Sequence, residues 1–389
     1  MKEELTIRPY ARLITMLGDQ LIKNEIIALV ELVKNSYDAD ASWVKVSFVD
    51  FNADFSVKST SKIIIEDDGC GMDEEILKKH WLNPATPDKL KRKREKETTD
   101  KGRIMQGEKG IGRFAIFKLG RNIKITTRRQ CVDEEGKFID SSEVDENVLS
   151  YNFSEYDDNF LSENGKEKEL YLDNLRVVFE KEAPQVIVKK KIMLGTTEIE
   201  RKPYGTKIEI SNLKSSWSET RIDKVQKEIG KMQPIFSKDD FSDFHVWIYQ
   251  DKEVHIAQDV YKEKLTTCLE NKSVFKVKNG KYISATNKID FILNGKPVHL
   301  GFDDADIKGL SLFSKYFKNE SYKTECGDFE FEFYIFDLNI DSDSPSKYML
   351  DKDEKAIIKE HRIYLYRDGI RVMPYGDPED DWLRIDMAR

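Results

Sequence analysis

Four short segments, taken in order, constrain this 389-residue chain more than any other feature: ELVKNSYDADA (31–41), IEDDGCGM (65–72), GEKGIGRF (107–114) and YGTKIEI (204–210). The first lies on an amphipathic helix expected over residues 17–37. At about 100° per residue, Ile22, Ile26, Leu29 and Val33 share one face. Glu31, Asn35 and Asp38 fall within roughly 60° of one another on nearly the opposite side. Such a helix buries its back and presents two carboxylates and an amide. A carboxylate near an attacking water can orient it and take its proton. An amide oxygen is a hard ligand suited to Mg2+, which keeps several waters and binds substrate phosphates. Taken alone, the same pattern also describes an ordinary solvated face.

In IEDDGCGM a short apolar run, 62–66, ends in Asp-Asp-Gly and reads as a buried strand feeding a turn. A carboxylate at that strand end, Asp67, can accept a hydrogen bond from an adenine amino group, and a site that needs this donor rejects guanine. Gly69 and Gly71 let the backbone turn tightly and approach a base. Met72 offers an adaptable apolar surface to a flat ring. A plain surface turn has the same local composition, and the regular oxygen ligands of an EF-hand loop are missing. In GEKGIGRF, Gly107, Gly110 and Gly112 lead into a helix expected to run to Leu119. Free backbone N–H groups at such a helix start can cradle phosphates, and Lys109 and Arg113 can add positive charge. No G-K-[ST] closes the loop, so it is not a Walker A motif. The glycines are misplaced for a dinucleotide fingerprint. Thr206, at the start of a strand over 205–210, can offer its hydroxyl to a purine pocket, often through water.

In this order and with these residue types, the segments resemble the ATP site of the GHKL superfamily, or Bergerat fold. That superfamily takes in the heat-shock chaperone ATPase, the DNA gyrase ATPase, MutL, microrchidia (MORC) ATPases and sensor histidine kinases. GEKGIGRF is most similar to microrchidia-like bacterial ATPases and the chaperone. The resemblance implies an α+β fold: a two-layer α/β sandwich with a mixed, mostly antiparallel sheet over 1–214, then a transducer-like (S5-like) α/β domain over 215–389. It implies Glu31 as general base, Asn35 as the Mg2+ ligand, Asp38 as an acid lining the site, and Asp67 rather than Asp68 as the adenine reader beside Gly69, Gly71, Met72 and Thr206. Gly107, Lys109, Gly110, Ile111, Gly112, Arg113 and Phe114 match the box that closes over the triphosphate, at the end of a lid over about 83–112. A lysine or arginine of the second domain is expected at the γ-phosphate. Lys347 in SDSPSKYMLDK is the candidate, with Lys352 as its alternative. The implied cofactors are ATP and Mg2+. The implied reaction is ATP hydrolysis, slow until two protomers meet in an ATP-dependent homodimer. The likeness covers about 1–212 well and the rest loosely.

Composition narrows the partners. Net charge is −8 with 35% charged residues, so the whole chain is not a basic nucleic-acid binder, although the basic stretch KLKRKREKETTDKGR leaves room for a DNA or protein client. The four cysteines form no CxxC pair, which suggests reduced thiols. No apolar run approaches the ~20 residues of a membrane helix, and the N-terminus has no signal core. A cytoplasmic protein is expected. Further expected elements are strands over 42–49 and 123–128, a helix over 73–81 capped by Asp73, and a connecting helix over 215–231. The acidic, polar stretch 133–168 reads as a surface insertion with little core. Asn279-Gly280, Asn294-Gly295 and Asp368-Gly369 read as hairpin turns. Two other functions compete. A histidine kinase would place a helical hairpin with a phospho-acceptor histidine ahead of the ATP motifs, yet no histidine precedes His80. A non-catalytic ATP-sensing module of a DNA-associated or defence complex fits the basic lid, while the net charge weighs against strong DNA binding.

Overall fold

The computed structural model describes residues 8–11, 13, 16, 20, 22–83, 98–103, 112, 115–133, 139, 144–154, 162–163, 166–167, 171–230, 244–257, 259–310, 326–337, 346–360, 365–367 and 370–371. The chain divides into two compact units, Met1–Tyr261 with Leu365–Pro374, and Lys262–Tyr364 with Tyr375–Arg389. The expected boundary at 214/215 falls inside the first.

The first unit is built on an eight-stranded sheet. Its strands are β1 (Trp43–Val49), β2 (Lys62–Asp67), β3 (Gly120–Arg128), β4 (Glu146–Asn152) and β5 (Val178–Glu182). After a separate hairpin of β6 (Lys190–Leu194) and β7 (Thr197–Arg201) come β8 (Gly205–Leu213), β9 (His245–Gln250) and β10 (Glu253–Ala257). The order is β10-β9-β1-β2-β8-β3-β4-β5. Only β1 and β9 run parallel; the other neighbours are antiparallel. This is the mixed, mostly antiparallel sheet of an α/β sandwich.

Because side chains alternate across a strand, the register builds rows on one face. One row runs Phe48, Ile63, Ile210, Ile123, Tyr151, and the next Val46, Ile65, Ile208, Ile125, Leu149. All ten are buried. Helix α1 (Glu25–Asp38) covers this face and packs against α2 (Ala115–Leu119) and α3 (Glu219–Gly230). Trp217, just ahead of α3, closes edge-on against Phe48 at 5.1 Å between ring centroids.

Helix α1 begins later than the expected residue 17. The Asn24 side chain accepts the Ile27 N–H at 3.0 Å, and a satisfied N-cap fixes the first turn there. The helix is also buried more widely than its apolar stripe suggests, since Ala28, Val30 and Leu32 join Leu29 and Val33 in the core. Asp73 caps as expected, accepting from Ile76 N–H at 2.7 Å, but Ile76–Trp81 winds as a π-helix. The reading of 133–168 as an insertion with little core fails over β4. In ENVLSYN, Leu149 and Tyr151 join the core and Val148 is buried on the other face of the strand, next to an acidic flank. Asn279-Gly280 is not a hairpin turn: it lies within a strand at a shift of register. Asn294 and Gly295, with φ of 47° and 85°, do form a two-residue turn. Asp368-Gly369 lies outside the described residues, between Tyr366–Arg367 and Ile370–Arg371, which pair antiparallel.

The opposite face of the sheet carries a buried ionic group. Arg201 is fully buried; its Nη1 lies 3.0 Å from Glu66 Oε1 and donates to Val186 O at 2.8 Å. Glu146, also fully buried, accepts from the N–H groups of Val186 and Ile187. Arg128 donates to the Val144 carbonyl at 2.9 Å. The β6–β7 hairpin meets the same sheet through Tyr249, whose hydroxyl accepts from Gly195 N–H at 2.7 Å.

The second unit holds a four-stranded antiparallel sheet of β11 (Phe275–Ile283), β12 (Lys288–Leu293), β13 (Lys296–Gly301) and β14 (Phe329–Ile335), in the order β13-β12-β11-β14. Tyr282 is buried there between Phe302 and Phe329. Helix α4 (Asp259–Lys272) leads into the unit and α5 (Lys352–Glu360) lies near its end. Lys272 Nζ donates to Met349 O at 2.9 Å and so holds the start of α5. No helix among the described residues is long and apolar enough to cross a membrane.

Removing one partner of a buried ion pair strands the other. Arg201→Met should lower the unfolding free energy by about 3 kcal/mol, tempered because Glu66 keeps some access to water. The check is the midpoint of urea unfolding at pH 7, which should fall with little change in slope.

Candidate active site

The row at the mouth of the sheet, one step beyond Ile65 and Ile208, is polar. It runs Asp67, Thr206, Thr127, Asn147 over the adjacent strands β2, β8, β3 and β4. All four are buried. A polar group kept from water must find partners, and these find them largely in one another and in the turns beside them. Thr206 and Thr127 share a hydroxyl–hydroxyl bond of 3.0 Å, and Thr127 Oγ1 reaches Gly205 O at 3.1 Å. Met72 N–H donates to Thr127 Oγ1 at 2.9 Å, while Asn147 Nδ2 donates to Met72 O at 3.2 Å. Both polar ends of the Met72 backbone are thereby fixed.

Asp67 holds the centre. Its Oδ2 accepts from Ser36 Oγ at 2.7 Å, and its Oδ1 from the N–H groups of Gly69 at 3.0 Å and Thr206 at 3.2 Å. Helix α1, the turn after β2 and strand β8 thus meet on one carboxylate. Burial pushes the carboxyl up to about 6; the bonds from Ser36, Gly69 and Thr206 pull it down, and neighbouring Asp68 pushes it up. Each carboxylate oxygen can accept about two bonds. Oδ1 is filled, and Oδ2 keeps one acceptor position. Asp68 works elsewhere, accepting from the N–H groups of Ser42 at 2.6 Å and Trp43 at 3.0 Å, where it anchors the start of β1.

The following turn admits no side chain at Gly71. Its φ is +63°, and a Cβ would lie 1.9 Å from Arg128 O. Cys70 is pinned on both sides, by its N–H to Ala39 O at 2.7 Å and by Gln130 N–H to its carbonyl at 2.8 Å.

On α1, Glu31, Asn35 and Asp38 are half-buried, while Lys34, Ser36 and Tyr37 between them are buried. Glu31 Oε1 accepts from Lys34 Nζ at 2.9 Å. Gly112 comes close to the same pair. A Cβ there would lie 3.5 Å from Asn35 Oδ1 and 3.6 Å from Glu31 Oε2. Acid, amide and a glycine backbone therefore converge, and any side chain longer than alanine at 112 would intrude on them. Gly107, Lys109, Gly110, Ile111, Arg113 and Phe114 lie outside the described residues, as does most of the expected lid. Its described part, 98–103, is docked on the end of α1. Thr99 Oγ1 donates to Asp40 Oδ1 at 2.5 Å, and Arg103, 7% exposed, donates to Tyr37 O at 3.1 Å and Ala41 O at 2.8 Å. Its guanidinium stacks over Tyr37 at 4.4 Å. Lys347 stands exposed in the second unit, its ammonium 4.6 Å from the Tyr348 ring centroid.

Sequence reasoning missed Ser36, Thr127, Asn147 and Arg103. Ser36 lies inside the first motif, where a hydroxyl facing away from the acid stripe was available as a signal. Thr127 and Asn147 needed the strand register.

Residues 24–166 match the model of the family described as histidine kinase-, DNA gyrase B-, and HSP90-like ATPase. The match supports the GHKL superfamily. It begins at the N-cap of α1 and includes the first three motifs; Thr206 lies beyond it. A GHKL-type domain supports ATP binding, in keeping with the polar row and the acid–amide pair. Among curated proteins none matches the chain.

The raised Asp67 value has a sign that stability measurements can read. Between its ordinary 3.8 and about 6 the folded state takes up a proton that the unfolded chain has released. This contribution is fully present below pH ~4 and lost as pH rises through ~6, so the ionised carboxylate costs about 3 kcal/mol at pH 7, at about 1.4 kcal/mol per pH unit. Asp67→Asn should flatten the unfolding free energy between pH 4 and 6 and raise it near pH 7. Urea titrations across that range are the check.

Proposed function

We propose that this protein is a Mg2+-dependent ATPase in which Glu31 is the general base, Asn35 the magnesium ligand and Asp67 the reader of adenine. The observation that carries the reading is the convergence of Glu31 Oε2 and the Asn35 amide on Gly112, with Ser36 of the same helix bonded to Asp67. One helix thus spans the distance from a purine-reading carboxylate to a phosphate-facing acid. The open acceptor position on Asp67 Oδ2 suits the adenine amino group, and a carboxylate that only accepts would leave a guanine carbonyl unsatisfied. Gly69, Gly71 and Met72 carry the backbone beside the base, and Thr206 with Thr127 closes the pocket floor. Asp38, half-buried on the same helix, is an acid lining the site.

Asn35 would hold Mg2+, with nucleotide phosphate oxygens and water completing the shell, and the ion would neutralise charge on the triphosphate. Glu31 orients the attacking water and receives its proton. Gly107, Lys109, Gly110, Ile111, Gly112, Arg113 and Phe114 match in sequence the superfamily's box for the triphosphate, where backbone N–H groups would meet negative charge. Most of the acceleration then comes from positioning and electrostatics. The four free cysteines fit the reducing cytoplasm. GEKGIGRF favours kinship with microrchidia-like and chaperone-type members, and with it a nucleotide-driven homodimer acting on a DNA or protein client.

Glu31→Gln should keep ATP affinity and lower turnover by about 10²–10⁴-fold, the usual worth of a positioned base. Turnover and equilibrium binding of a nonhydrolysable ATP analogue, measured side by side, test this; wild-type turnover would remove Glu31 from the mechanism. Mass measured in solution should double on adding the analogue and return after washing it out. A protein that binds the analogue yet neither turns over nor dimerises would be a passive ATP sensor.

A further inference from the structure

We propose that Lys34 is a positioning residue for the hydrolytic step, clamping one oxygen of Glu31 so that the other faces the phosphate side of the site. The inference rests on the reading of Glu31 as the base.

Lysine is seldom buried unless paired. Lys34 is 9% exposed, and its side-chain ammonium lies 2.9 Å from Glu31 Oε1. The two residues are three apart on α1, where side chains meet along the helix surface. The pair is oriented. Oε1 takes the ammonium, whereas Oε2 is the oxygen nearest the Gly112 position, beside Asn35 Oδ1. A free glutamate samples several rotamers and can present either oxygen. A charge-assisted bond to one oxygen removes most of that freedom. It leaves the acceptor positions of the other for a water. The geometry that makes a carboxylate a base is a fixed heavy-atom distance to the water, and misplacement by about 1 Å can cost about 10²-fold. The bond is made within one helix, so it is in place before any nucleotide arrives.

A ligand to phosphate would behave differently. Its loss would weaken nucleotide binding, whereas loss of a clamp on the base weakens only the step after binding. Lys34→Met keeps the buried stem and removes the ammonium. Its kcat should fall about 10–100-fold while affinity for the nonhydrolysable ATP analogue changes less than about threefold, and retained binding also reports a folded domain. Lys34→Arg, which keeps a charged donor, should recover most of the lost turnover. The double variant Lys34→Met/Glu31→Gln should be no slower than Glu31→Gln alone, because residues acting as one unit do not add. Unchanged kcat in Lys34→Met, or a large loss of analogue affinity with kcat retained, overturns the proposal. Wild-type turnover in Glu31→Gln instead overturns the general-base reading, so the two failures are told apart.

Discussion

One buried carboxylate organises the mouth of this sandwich. Asp67 receives a hydroxyl from α1, a backbone N–H from its own turn and another from β8, with a charge that water no longer stabilises. Three elements distant in sequence meet on two oxygen atoms. A neutral side chain would hold them with less penalty. Retaining an acid there costs stability, a familiar pattern where binding chemistry and packing compete.

The alternation of the strands divides the labour between two faces. Asp67, Thr127 and Asn147 look toward the helices; their chain neighbours look the other way, where Glu66 pairs with Arg201, Arg128 donates to the Val144 and Ile187 carbonyls, and Glu146 accepts from the Val186 N–H. Single-residue spacing therefore separates the proposed nucleotide-facing surface from its buttress. The register must be right for either to exist, since a slip by one residue exchanges the two sets. The apolar rows beneath α1 make such a slip expensive.

Much of this is legible in the residues. The helix stripe, the strand ending in Asp67 and the strand opening at Thr206 can be read because each is a local pattern with a period. The start of α1 is not legible in the same way: apolar spacing continues upstream, while Asn24 ends the helix by a hydrogen bond that periodicity does not see. Strand β4 is hidden because it is buried on both faces, so its sequence lacks a period of two, and acidic residues flank it. Thr127 and Asn147 carry no signal of their own: they matter only by lying opposite Thr206 and each other, and pairing between distant strands is a non-local property. Arg103 is submerged in a run of basic residues, and only its burial against the carbonyls at the end of α1 sets it apart.

The parallel pairing of β1 with β9 bears on where this domain can be cut. Trp43, Val44, Val46 and Phe48 stand on β1, and the strand that flanks them arrives from His245–Gln250, well past the last motif. A fragment trimmed after α3 would keep all four motifs yet leave β1 as a bare rim of unsatisfied amides and carbonyls beside large apolar side chains. Rims of that kind recruit other chains. Solubility in this unit is thus supplied by a stretch far downstream of the chemistry it protects.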